Sequence, residues 1–276
     1  MLKKVLLWIF AIAITLSSVV FQRLTGPTHP KKIKYTIDDS TYKVKLPRSG
    51  ESTANCEVSL ILPDSAQATL SFKKHPTTDS FSQQPFTRSK DGTYIAQLPK
   101  MPAAGKLEYY IEIFSNQQKV SIHKENPIII RFKDPVPRWA LVPHILSMFL
   151  AMLLSTMAGL TAIFKMDQYK LHGFLALIMI AAGGLIFGPI VQYYAFGQIW
   201  TGFPLGKDFT DNKTLIAFVT WLTAVAINRK QSNRFATVIA SLVMLAIFSI
   251  PHSFKGSELN YESGKVVTGY IMSLVR

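Results

Sequence analysis

Residues 139–164 read WALVPHILSMFLAMLLSTMAGLTAIF, without one Asp, Glu, Lys or Arg. A helix needs about 20 predominantly apolar residues to cross the hydrocarbon core of a bilayer, so this stretch predicts a transmembrane helix. Three more apolar runs follow it, at 171–197, 214–227 and 235–250, and one precedes it at 5–21, behind Lys3 and Lys4. The 171–197 run passes the same length test and 235–250 is adequate. The 214–227 run is short and must borrow residues from its flanks. Five spans are expected. The 5–21 run has the basic start and apolar stretch of a signal peptide. Its small-x-small cleavage site, around Ser17-Ser18-Val19-Val20, is poor, and no Cys follows. An uncleaved anchor over 1–22 is expected, with a cleaved signal peptide as the alternative.

The whole chain agrees with that reading. Its 276 residues are 49% hydrophobic and 17% charged, with mean hydropathy +0.22, which excludes a disordered chain and argues against a purely soluble one. One Cys excludes a disulfide framework, a CxxC redox pair and covalent c-type haem. Thirty Lys and Arg face sixteen Asp and Glu, for a net charge of +14. With the amino end inside, the inner segments carry Lys3, Lys4, Lys165, Lys170, Arg229, Lys230 and Arg234 against the single acid Asp167. The short loop 198–213 balances Lys207 and Lys213 with Asp208 and Asp211. This positive-inside bias puts residues 22–138 and the tail 251–276 outside, in the periplasm of a bacterial-type inner membrane.

Residues 33–134 read as short strands between turns. Candidates are Ile33–Asp38, Tyr42–Pro47, Cys56–Leu62, Ala68–Lys74, Thr93–Leu98, Lys106–Phe114, Lys119–His123 and Ile128–Phe132. Breakers such as Arg48-Ser49-Gly50, Pro63-Asp64-Ser65 and Asp91-Gly92 separate them. Seven or eight strands at this spacing argue a β-sandwich. The stretch Asp91-Gly92-Thr93-Tyr94 to Leu98-Pro99, then Gly105-Lys106-Leu107-Glu108-Tyr109-Tyr110-Ile111, resembles immunoglobulin-like and fibronectin type III-like modules. The resemblance implies that Tyr109 or Tyr110 fastens a corner, and it implies partner binding rather than catalysis. Within 22–138, eighteen basic residues face eleven acids. The lysines alternate along strands, so a solvated surface is expected; anionic headgroups, glycans or an acidic partner are the alternatives. Nothing suggests nucleic acid. Short proline-stiffened linkers on both sides are expected to hold the domain at the membrane surface.

The fold class expected is therefore an α+β membrane protein. It comprises an anchor helix (1–22), an extracytoplasmic immunoglobulin-like sandwich (23–137), a four-span bundle (138–252) and an outer tail (253–276). In the tail, Val266, Val267, Tyr270, Ile271, Leu274 and Val275 fall on one face of a short interfacial helix. No ionisable residue sits at the centre of a span, which weighs against a pump or a charged filter. The polar and aromatic residues gather at one rim instead. There, Thr210 or Asp211 would cap the fourth helix, while Tyr193, Tyr194 and Trp200 form an aromatic belt. With Phe203, these three aromatics also make a partner-binding rim. His144 and His252, at similar depth, would suit the axial imidazoles of a b-type haem, with Met148 as a substitute ligand. Asp208, Asp211 and Glu258 with the same two histidines form a mixed imidazole–carboxylate set for Zn, Fe or Mn, without a tight spacing motif. His172 lies at the inner side, about 30 Å away.

The function expected is non-enzymatic, an accessory or scaffolding subunit that binds other membrane or periplasmic subunits. The main alternative is a redox subunit with b haem or quinol at the rim. A small-ligand transporter is third.

Overall fold

The structure, a computed structural model, describes residues 1–116, 118–251 and 256–267. They fall into two compact units. One is helical, Met1–Pro27 and Val136–Ser257. The other is a β unit, Thr28–Pro135 and Glu258–Val267.

The helical unit begins with α1 (Leu2–Thr25). Its buried side chains Leu7, Ala11, Thr15 and Ser18 recur at the helix period, so one narrow face of mostly small residues packs while Ile9, Phe10, Leu16 and Val20 stay exposed. Leu7 and Ala11 pack with Met157 of α2 (Arg138–Ile163). α1 is thus part of the helical unit. Inside α2, Thr156 and Thr161 return their hydroxyls to the carbonyls of Met152 and Met157 at 2.9 and 2.7 Å, which satisfies both donors within the helix.

A continuous helix, Tyr169–Phe196, contains α3 (Tyr169–Ile180), a π-helical stretch Ala181–Phe187 and α4 (Gly188–Phe196). Next come α5 (Phe209–Lys230) and α6 (Arg234–Ser249). Asn228 fastens their turn. It donates to Ala224 O and Thr237 Oγ1, and accepts from Asn233 N at 2.9 Å. Among the described residues three helices, α1, α2 and Tyr169–Phe196, are long and apolar enough to cross a membrane. α6 has 16 residues, or about 24 Å of helix, short of the roughly 30 Å core.

The β unit contains β1 (Lys31–Ile37), β2 (Ser40–Leu46), β3 (Ser49–Glu51), β4 (Cys56–Leu60), β5 (Gln67–Lys74), β6 (Ser82–Pro85), β7 (Thr87–Arg88), β8 (Tyr94–Leu98), β9 (Lys106–Ser115), β10 (Gln118–Ile122), β11 (Ile128–Lys133), β12 (Glu258–Leu259) and β13 (Val266–Val267). One sheet runs β3-β11-β9-β5-β6, with β10 also on β9; another is β4-β8-β7; β1-β2 and β12-β13 are two-stranded ribbons. Every pairing is antiparallel except β3 with β11. Period-two alternation sends Tyr35, Val44, Leu60, Leu70, Tyr94, Ile111 and Phe132 into one shared core. All eight expected strands are present. Ser49-Gly50, read as a breaker, instead forms β3.

Tyr109 is fully buried in the β unit. Its hydroxyl donates to Pro47 O at 2.8 Å, a residue 62 positions away. Tyr110 faces the other way, edge-on to Phe81. Cys56 is half-buried and free, and burial, with Glu57 beside it, pushes its thiol up. His75 is tied to β9, its Nδ1 2.7 Å from Glu108 Oε2.

The described tail departs from the expected helix. Val266 and Val267 pair with Leu259 and Glu258 as a ribbon, because Asn260 accepts from the amides of Glu262 and Ser263 and turns the chain. Tyr270, Ile271, Leu274 and Val275 lie outside the described residues. The ribbon belongs to the β unit. Glu258 pairs with Lys106, and the Tyr261 hydroxyl accepts from Lys106 N at 2.8 Å and donates to Lys106 O at 2.6 Å.

Candidate functional site

The site candidates of the helical unit start from Pro189. Proline has no N–H, so it cannot complete an α-helical bond to the preceding turn. The chain answers with the π-helical stretch ahead of it, in which Gly188 N donates to Gly183 O, five residues back. His144 uses the same carbonyl. Its Nδ1 lies 2.8 Å from Gly183 O. A carbonyl only accepts, so Nδ1 carries a proton, and in the neutral ring Nε2 then keeps a lone pair. Met148 lies alongside, and a Cβ on Gly183 would fall 2.9 Å from its sulfur. The second proposed ligand, His252, lies outside the described residues.

The loop after α4 begins at Gly197, in the left-handed region at φ 74°. It folds back onto the start of α5. Asp208 is the N-cap, and its Oδ1 accepts from Thr210 N at 2.7 Å and Asp211 N at 3.3 Å. Neither Thr210 nor Asp211 is the cap, because the helix starts earlier than the apolar run that marks it. Asp211 is instead free to hold the loop. Its Oδ2 accepts from Thr201 N at 2.7 Å. With its amide nitrogen toward Asp211, Gln192 donates to Oδ1 at 3.0 Å, and its oxygen accepts from Thr201 Oγ1 at 2.6 Å. Asn212 Oδ1 accepts from Phe203 N at 2.7 Å. Only glycine fits at 202, since a Cβ would lie 2.6 Å from that of Asp211. Thr201, Asp208 and Asp211 are all buried.

Lys213 completes this end. Its ammonium donates to Ile250 O at 3.0 Å, at the C-terminus of α6, where the exposed carbonyls and the helix dipole favour a cation. Gln22 of α1 donates to the same carbonyl at 3.1 Å. Three helices therefore meet on one oxygen. The sequence reading marked Asp208 and Asp211 as site residues but not Thr201, Asn212 or Lys213, whose partners are nine or ten residues away or on another helix.

On top of this polar base the loop exposes Ile199 (63%), Phe203 (68%) and Leu205 (77%). Trp200 is half-buried and its ring N–H donates to Phe203 O at 3.0 Å. Tyr193 and Tyr194 are exposed, with ring centroids 5.9 Å apart, and Tyr194 stands edge-on to Trp139 at 5.9 Å. These three rings form an aromatic row, in which Trp139 stands where the expected belt had Trp200.

The described residues of the expected metal set each have partners of their own. Asp208 and Asp211 are engaged by backbone and side-chain donors, Glu258 belongs to the β unit and pairs with Lys106, and His144 is turned onto Gly183. Among the described residues no group of three or more His, Cys, Asp or Glu comes together to hold a metal ion. The comparisons with known proteins leave the argument to these residues: no family model matches the chain, and no curated protein matches it.

Proposed function

We propose that the chain is a five-span inner-membrane accessory subunit that docks a partner protein through the 198–213 loop. In this reading α1, α2, the Tyr169–Phe196 helix, α5 and α6 all span, α6 and α5 with help from their flanks. The amino end is cytoplasmic by the positive-inside bias, and the β unit is a periplasmic immunoglobulin-like module. The buried face of α1 supports its retention as an uncleaved helix, since a cleaved signal peptide has no need of packed Ala11, Thr15 and Ser18.

One observation carries the docking role. Ile199, Phe203 and Leu205 project from a loop whose backbone is bonded to Asp211 and Asn212. Apolar anchors held rigid before binding lose little entropy when bound, which is how protein interfaces gain affinity. The partner accordingly offers apolar pockets at the outer rim.

Photo-crosslinking from a benzophenone amino acid at position 203, in native membranes, tests this. One dominant protein adduct is expected, lost in Leu205→Asp with the fold retained. Adducts with lipid alone would overturn the reading and leave the loop as part of the aromatic belt.

A redox role is the second reading, favoured by the His144 tautomer. An imidazole that donates Nδ1–H to a carbonyl presents Nε2 as a metal ligand would. A b-type α-band in a reduced-minus-oxidised spectrum, lost in His144→Ala, would put this reading first.

A further inference from the structure

Lysines that alternate along one strand look dispersed. Two such strands, paired in register, gather them. β1 carries Lys32 and Lys34, β2 carries Lys43 and Lys45, and the register sets Lys32 opposite Lys45 and Lys34 opposite Lys43. Tyr35, Ile37, Val44 and Leu46 point into the core, so the period of two turns all four lysines to the outer face, where each is exposed. Directly opposed side chains have their Cβ atoms about 5 Å apart, and like charges there destabilise the pairing.

Neighbours do not relieve this repulsion. Among the described residues, none of the four lysines is in an ion pair. The hairpin's own acids, Asp38 and Asp39, lie in its turn, and Asp38 accepts from Ser115 Oγ at 2.6 Å. Thr36 and Thr41 share the face and bond each other at 3.2 Å. Lys31, also exposed, adds a charge at the start of β1.

We propose that this lysine ladder docks on the anionic headgroups of the bilayer that holds α1; the proposal rests on reading α1 as a membrane span. The chemistry of the face selects the occupant. Protein interfaces are depleted in Lys and enriched in Arg and aromatic residues, and shaped anions are gripped by arginine forks. This face has neither. Flexible point charges suit a fluid charged surface instead. The chain also limits the distance. α1 ends at Thr25 and β1 starts at Lys31, a gap of at most about 20 Å of extended backbone. Each lysine held near such a surface favours docking by about fivefold.

The test uses the full chain with Cys56→Ser and Ser40→Cys, a donor dye at position 40, and nanodiscs containing an acceptor-labelled lipid. Energy transfer is compared between phosphatidylcholine discs and discs enriched in phosphatidylglycerol. Transfer should rise with phosphatidylglycerol and fall with added salt. Each single Lys→Gln change in the ladder should lower the docked-to-undocked ratio about fivefold. Equal transfer in both lipids, for the wild type and for Lys32→Gln/Lys34→Gln/Lys43→Gln/Lys45→Gln alike, overturns the ladder. So does a response to polyglutamate without one to phosphatidylglycerol, which would identify an acidic polypeptide as the occupant. A chain that stays out of the discs altogether overturns the α1 reading and the proposal with it.

Discussion

His144 Nδ1 donates to Gly183 O at 2.8 Å, on a carbonyl that also accepts from Gly188 N across a π-helical turn. Proline at 189 removes one backbone donor, and the wider turn redirects a carbonyl toward the neighbouring helix. Gly183 is buried, and an unpaired acceptor in a buried position is costly.

His144→Ala should therefore destabilise the helical unit by about 0.5–1.5 kcal/mol, the usual net worth of one hydrogen bond, because Gly183 O keeps its bond from Gly188 N. His144→Gln, which keeps a donor, should recover part of the loss. Thermal unfolding in detergent reads both. An alanine variant as stable as the wild type would mean that the contact is dispensable.

A second close approach joins α3 to α5. A Cβ on Gly173 would stand 2.7 Å from Trp221 Cζ3, a buried ring that has little room to move. Gly173→Ala should cost about 1–3 kcal/mol through overpacking. A matching shift in Trp221 fluorescence, absent when Trp221 is replaced by Phe, would locate the strain at this pair.

The β unit carries a pH signature. Hydrogen bonding to Lys119, with Lys124 also close, holds the Glu112 carboxyl below the usual glutamate range, against an opposing effect of burial. A depressed carboxylate stabilises the fold above the unfolded value near 4.5, and that contribution disappears as the pH falls through the lower, folded value. The unfolding midpoint of the full chain, followed by near-UV dichroism, should drop as the pH is lowered below about 4.5. Glu112→Gln should flatten part of that drop. An unchanged slope would show that other carboxylates dominate.

Much of this fold was readable from period alone. All eight strands long enough to alternate, such as Tyr42–Pro47, fall where the pattern placed them. β3, β6 and β7 were not, being two to four polar residues long; β3 exists only because β11, some eighty residues later, pairs with it. The start of α5 hid behind Phe209–Lys213, which looks like loop until Asp208 is seen as its cap. Gly188-Pro189 is the kind of pair that loosens a helix, but nothing in the sequence tells that His144 bonds to the carbonyl freed there. Asp208 and Asp211, read as metal ligands, accept from backbone amides, as carboxylates at helix ends do. The lysine ladder was hidden for a related reason, since clustering across strands is a property of register.

The ribbon Glu258–Val267 gives the last prediction. Tyr261 brackets one residue, its hydroxyl accepting from Lys106 N and donating to Lys106 O, and Leu259 N adds a bond to Ala104 O at 3.2 Å. Burial pushes the Tyr261 phenol up, as expected of a hydroxyl that is worth most when it keeps its proton. Tyr261→Phe removes both bonds at little cost in packing and leaves the two Lys106 backbone groups without that partner. A loss of about 1–2 kcal/mol in ribbon attachment is expected, or roughly tenfold in the population of the detached state. Native-state proteolysis by an enzyme that cuts after Lys265 should accelerate by that factor, while cleavage after Lys90 in the β7–β8 turn stays unchanged. Equal acceleration at both positions would mean that the whole β unit, and not the ribbon alone, depends on Tyr261.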